Sequence, residues 1–215
     1  ATATVEVVFT ADPDRPAWTG TKNVTINAYE SAELYLPGVV LDEPADTNIP
    51  DMFKGSAVIT SDIPVVGNVQ HTNYLGGSGY GVGMGYVAFS SGGEKLSLPT
   101  LYQWPSGAGI WVSGIKIQNL TSTPVEVTAT FVPDPDSISQ FTGTASDIAL
   151  SGNAATELYF GSAFLDGGKS IPSGWKGSAV VEITSGSSTI AATIISTNYG
   201  RHVATMYTAI VIPTP

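Results

Sequence analysis

Apolar and polar residues alternate along this chain in short runs. Val5, Val7 and Phe9 alternate with Glu6, Val8 and Thr10, the period of a strand with one buried face. Asp12-Pro13-Asp14 ends the run, because proline cannot donate to a ladder and aspartate favours turns. Val24-Thr25-Ile26 and Glu33-Leu34-Tyr35-Leu36 predict two more strands, the second closed by Pro37-Gly38. The polar stretch 42–51, with Pro44 and Pro50, predicts a loop, and Ser56 to Thr60 a further strand. No 11-residue window keeps apolar residues at i, i+3, i+4 and i+7 without glycine, proline or β-branched interruptions, so no helix is predicted. Short strands between frequent turn signals predict an all-β, antiparallel sandwich.

The pattern occurs twice. Phe53-Lys54-Gly55-Ser56-Ala57-Val58 returns as Trp175-Lys176-Gly177-Ser178-Ala179-Val180, 175 − 53 = 122 residues later. Val127, Ala129 and Phe131 align with Val5, Val7 and Phe9, and Asp134-Pro135-Asp136 with the first Asp-Pro-Asp. Phe141-Thr142-Gly143 matches Trp18-Thr19-Gly20, Glu157 to Phe160 matches Glu33 to Leu36, and Thr197-Asn198-Tyr199 matches Thr72-Asn73-Tyr74. Self-similarity at a fixed period is the mark of repeated units. Two tandem β-sandwich domains are expected, over 1–98 and 99–215, with Ser90 to Thr100 as the linker.

The two halves differ at their starts. Ser113-Gly114-Ile115-Lys116-Ile117-Gln118-Asn119 predicts a strand before Val127, Ala129 and Phe131, whereas only Ala1 to Thr4 precede Val5. The first domain is therefore expected to be one strand short, with an open edge along Val5, Val7 and Phe9. An unpaired edge is a template for association, and strand addition applied head to tail builds a filament.

Composition narrows the function. Charged residues make up only 12% of the 215 residues, and the formal net charge is −10. An acidic chain lacks the basic footprint of a nucleic-acid binder, and no apolar run reaches the length of a membrane span. The absence of cysteine rules out disulfides and thiolate metal sites. Asn23-Val24-Thr25 and Asn119-Leu120-Thr121 are glycosylation sequons. Together with Ala1-Thr2-Ala3-Thr4, which suits the start of a processed chain, they favour an extracellular glycoprotein.

Candidate chemistry is sparse. Gly77, Gly79, Gly81, Gly83 and Gly85 alternate with Ser78, Tyr80, Val82 and Met84, which fits neither a dinucleotide nor a phosphate loop. The readings left for them are a loop followed by a strand from Val82, or a flat face for close packing. His71 and His202 are the only histidines, and no catalytic motif surrounds them, so no enzyme is expected. Asp12 with Asp14, and Asp134 with Asp136, can offer hard oxygen ligands to calcium, although a duplicated turn explains them equally. No other cofactor is expected. Trp18 and Trp175 have aromatic counterparts in the other half (Phe141 and Phe53), as core positions would. Trp104 and Trp111 fall in the connector and are expected to fix one domain against the other.

The run from Trp111 to Val127, with Ile115-Lys116-Ile117-Gln118-Asn119 and the later aromatic-Lys-Gly-Ser-Ala-Val strand, resembles a β-sandwich repeat of secreted bacterial surface proteins. The resemblance implies exported, tandem immunoglobulin-like sandwiches and brings no functional residues with it. The expected function is structural: a cell-surface, self-assembling subunit of a filament or layer, joined to copies of itself through strand edges. The alternative is an adhesive or carbohydrate-binding module for surface glycans, which requires aromatic residues exposed outside both cores.

Overall fold

β1 (Ala3–Ala11) buries Ala3, Val5, Val7 and Phe9 on one face and turns Thr4 and Glu6 to solvent, as its alternation demands. It is the central strand of an antiparallel sheet, between β2 (Thr19–Ile26) and β3 (Gly55–Ser61). β4 (Asn68–Asn73) and β5 (Val82–Val87) form a separate antiparallel pair. The computed structural model describes residues 1–73, 82–106, 109–198, 200–201 and 203–213. Among these the chain is all-β, and its one helical turn is the 3-10 turn Leu36–Gly38. Among the described residues no helix is long and apolar enough to cross a membrane.

The second half forms a nine-stranded system: β6 (Lys95–Ser106), β7 (Gly109–Asn119), β8 (Val125–Pro133), β9 (Gly143–Leu150), β10 (Ala155–Tyr159), β11 (Trp175–Ser185), β12 (Ile190–Asn198), β13 (Val203–Thr208) and β14 (Ile210–Val211). β6 joins two layers. Its Lys95 to Gln103 pair with β11, within β9-β8-β11-β6, and its Gln103 to Ser106 pair with β7, beside β10, β12 and β13. Ile115, Ile117, Val127, Phe131, Val181, Ile190 and Ile194 meet between the layers in one buried cluster.

The repeat holds in three dimensions. The order β2-β1-β3 corresponds to β9-β8-β11, and the pair β4-β5 to β12-β13. The same turns recur: Asp12 N–H donates to Lys54 C=O and Asp134 N–H to Lys176 C=O, both at 2.9 Å. Asp42 accepts from the Asn23 amide as Asp166 does from Ser146. A Cβ at Gly55 would lie 2.1 Å from Thr10 O and 2.5 Å from the Phe53 ring, and one at Gly177 would lie 2.1 Å from Val132 O and 2.7 Å from the Trp175 ring. The aromatic-Lys-Gly motif is thus an aromatic ring folded over a glycine that only a missing side chain permits.

Three expectations are corrected. The stretch Ser90 to Thr100 is strand from Lys95, and Leu96 and Leu98 sit in the second core, so that core begins ahead of the expected boundary at 98/99. Val5, Val7 and Phe9 are not an open edge, since β1 is paired on both sides. Glu33 to Leu36 does not form a strand, although its counterpart Glu157-Leu158-Tyr159 belongs to β10. The last of these has its cause in a missing partner. Among the described residues β10 pairs only with β7, and no strand of the first half stands where β7 stands. Gly77, Gly79 and Gly81 lie outside the described residues, while Gly83 and Gly85 belong to β5, which begins at Val82 as one reading expected.

Candidate functional site

Where β7 would stand in the first half there is an open groove of about 680 Å³. Its floor is the inward face of β1, carrying Val5, Val7 and Phe9, with Ala57 and Ile59 of β3 beside them. One wall is the stretch 27–36 and the other runs from Ile63 to Gln70 at the start of β4. These walls correspond to β10 and β12, the strands that flank β7. Equivalent positions show what the space lacks. Ile59 is 43% exposed and its counterpart Val181 0%; Leu36 is 41% exposed and Phe160 0%; Val65 is 38% exposed and Ile190 0%. Among the described residues β3 pairs only with β1 and β4 only with β5, whereas β11 and β12 are paired on both sides. Unpaired backbone therefore borders an exposed apolar floor.

Three of the four carboxylates proposed for calcium, Asp12, Asp14 and Asp136, are held by lysines. Lys54 Nζ lies 3.1 Å from Asp14, 2.7 Å from Glu157 and 3.8 Å from Asp12. Lys116 of β7 closes on Asp12, whose side chain is only 1% exposed. Lys176 pairs with Asp136 as Lys54 does with Asp14, and the hydrogen bond from each lysine holds its aspartate below the usual carboxylate range. Asp134 is fixed through its backbone, accepting from Ser137 N–H and Gln140 Nε2. No group of three or more His, Cys, Asp or Glu side chains converges as a metal site among the described residues. Asp12, Lys54, Lys116 and Glu157 instead tie the two halves together, joined by a bond from Ser56 Oγ to Asn153 O.

A second concavity, of about 750 Å³, opens in the second half. Trp104 and Trp111 face each other across the β6–β7 hairpin, and Ser196 and Thr205 are paired across β12 and β13. Tyr102, Tyr207 and Lys176 complete the lining, with Lys176 Nζ 5.6 Å from the Trp104 ring. Tyr207 hydrogen-bonds to Thr100, and burial pushes its hydroxyl up to about 12, so it stays a donor at neutral pH. Among the described residues the lining comes from the second half.

The sequons divide. Asn23 is exposed on β2. Asn119 is fully buried: its Nδ2 donates to Thr123 O at 2.7 Å and Ser151 O at 3.2 Å, and its Oδ1 accepts from Ser188 Oγ at 2.7 Å. That makes it a cross-brace at the end of β7 and removes it as a glycosylation site. His71 stacks on Tyr86 at 6.4 Å, while His202 lies outside the described residues. The groove residues Ile59, Leu36 and Val65 carry no motif, and only the alignment of the two halves marks them. No known protein family, curated protein or solved structure matches the chain.

Proposed function

We propose that this protein is an extracellular structural subunit that assembles with copies of itself into a surface filament or layer through unpaired strand edges. The observation that carries this reading is the groove over β1 and β3, bordered by the free edges of β3 and β4. An apolar floor beside unpaired N–H and C=O groups favours association over solvation. The few charges and many hydroxyls of the chain suit a packed lattice, and the net charge of −10 keeps unassembled copies apart. Electron microscopy and sedimentation of the purified protein over rising concentration test it. Ordered polymers are expected, and a strictly monomeric chain at millimolar concentration would overturn it.

The aromatic concavity supports a second reading, adhesion to surface glycans. Trp104, Trp111 and Tyr207 around the Ser196 and Thr205 hydroxyls combine stacking surface with hydrogen-bonding groups. Binding on a glycan array that Trp111→Ala abolishes would favour it over the first.

A further inference from the structure

We propose that the groove over β1 and β3 accepts an extended polypeptide strand donated by another chain, seated as β7 is seated in the second half. This deepens the assembly reading and rests on it only in taking the donor from another chain. The second half shows what the occupant must be. β7 exchanges backbone hydrogen bonds with β10 on one side and β12 on the other, while Ile115 and Ile117 fill the space between the layers. The groove offers the same three features. Its backbone walls are the stretch 31–35, equivalent to β10, and β4, equivalent to β12. Its apolar floor is Val5, Val7 and Ile59, equivalent to Val127, Ala129 and Val181.

The floor residues fix the pattern of the donor. Two apolar side chains two positions apart must point inward, since successive side chains of a strand alternate in direction. The residue between them points outward. In β7 that residue is Lys116, which stands opposite Glu157 in register while its amine closes on Asp12 and Glu157 is paired with Lys54. The groove has Glu33 at the equivalent place, and Glu30 lines it. A cation between the two apolar residues therefore meets opposite charge across the strands. The occupant is thus an extended segment of the form apolar–cation–apolar, as in Ile115-Lys116-Ile117. Such a segment supplies at once the ladder partner that, among the described residues, 31–35 and the outer edge of β4 lack, and the contacts whose absence leaves Ile59, Leu36 and Val65 exposed.

A fluorescent peptide copying residues 111–121 provides the probe, titrated by fluorescence polarisation into the whole 215-residue chain. Saturable binding is expected, weakened at least about ten-fold by Ile115→Asp with Ile117→Asp in the peptide. Ile59→Asp or Leu36→Asp in the chain should weaken it as much. Both chain positions are already substantially exposed, so each variant should keep the parent circular dichroism, and either one serves if the other fails to fold. Amide exchange should show new protection at 31–36 and 68–71. Absence of saturable binding, binding indifferent to both chain variants, or protection at 190–198 instead would overturn the proposal. So would slow exchange at 31–36 and 68–71 before any peptide is added. Polymers without peptide binding would remove this inference and leave the assembly reading, and peptide binding by a strictly monomeric chain would do the reverse.

Discussion

Trp175 and Phe53 occupy the same place in the repeat and do unequal work. Trp175 is 0% exposed, lies 5.7 Å from Phe160 and 6.4 Å from Phe131, and donates its indole N–H to Phe141 O at 2.8 Å. Phe53 is only partly buried, with Trp18 at 5.3 Å and Phe9 at 6.5 Å. Trp and Phe have changed places between the two positions, so aromatic bulk is kept while the indole hydrogen bond exists in one copy. Trp175→Ala is expected to cost about 3–5 kcal/mol, the range for emptying a well-packed aromatic site. Phe53→Ala should cost about 1–2 kcal/mol, because much of that ring's transfer energy was never gained. Denaturant melts that rank the two in the opposite order would contradict this. The alternation of aromatic, Lys and Gly made both residues legible as core. The degree of burial was not legible, because it depends on strands that pack across from them. Asn119 was misleading for the same reason: its sequon is local, whereas Ser151 and Ser188, which help to satisfy it, are brought in by the fold.

At the scale of elements, strands with sustained alternation were readable, and a short segment whose state depends on one distant partner was not. β1 and β8 announce themselves by period-2 alternation and end at Asp-Pro-Asp turns, which their lysines then pin. Glu33-Leu34-Tyr35-Leu36 has the same alternation as Glu157-Leu158-Tyr159-Phe160, yet only the second is a strand. The difference is β7, which gives β10 its one ladder. Intrinsic preference is weak beside pairing for such a short segment. The shortfall was read as one strand and misplaced as an edge: among the described residues neither β6 nor β7 has a strand counterpart in the first half. Sequence order places the gap just ahead of β1, but in space β1 is covered on both sides and the gap lies opposite it, between the stretch 31–35 and β4. The aromatic concavity escaped sequence reading because Trp104 and Trp111 are joined to Ser196 and Thr205 only through long-range pairing of four strands.

Across the whole molecule, burial is divided unequally between the two halves. Twenty-two buried residues form the second core and six the first, among the described residues, for halves of similar length. Apolar area removed from water is the main stabilising term, and it is set against a conformational entropy that scales with chain length. The first half therefore has much less to offset the ordering of its chain. What it has besides is the junction: Asp12, nearly inaccessible, held by Lys116 of β7 and near Lys54, which also reaches Glu157. A buried carboxylate that loses its cation, or a partly buried lysine that loses its carboxylate, is destabilising because the remaining charge is left uncompensated. Unfolding is expected in two steps, with amides of β1 to β3 losing protection before those of β7, β8 and β12. Asp12→Asn should lower the first transition more than the second, which feels the change only through Lys116 of β7, left without its carboxylate. Hydrogen exchange followed through a thermal ramp reads both transitions in one experiment. Uniform loss of protection in a single step, with Asp12→Asn shifting all strands together, would mean that the junction fuses the halves into one cooperative unit.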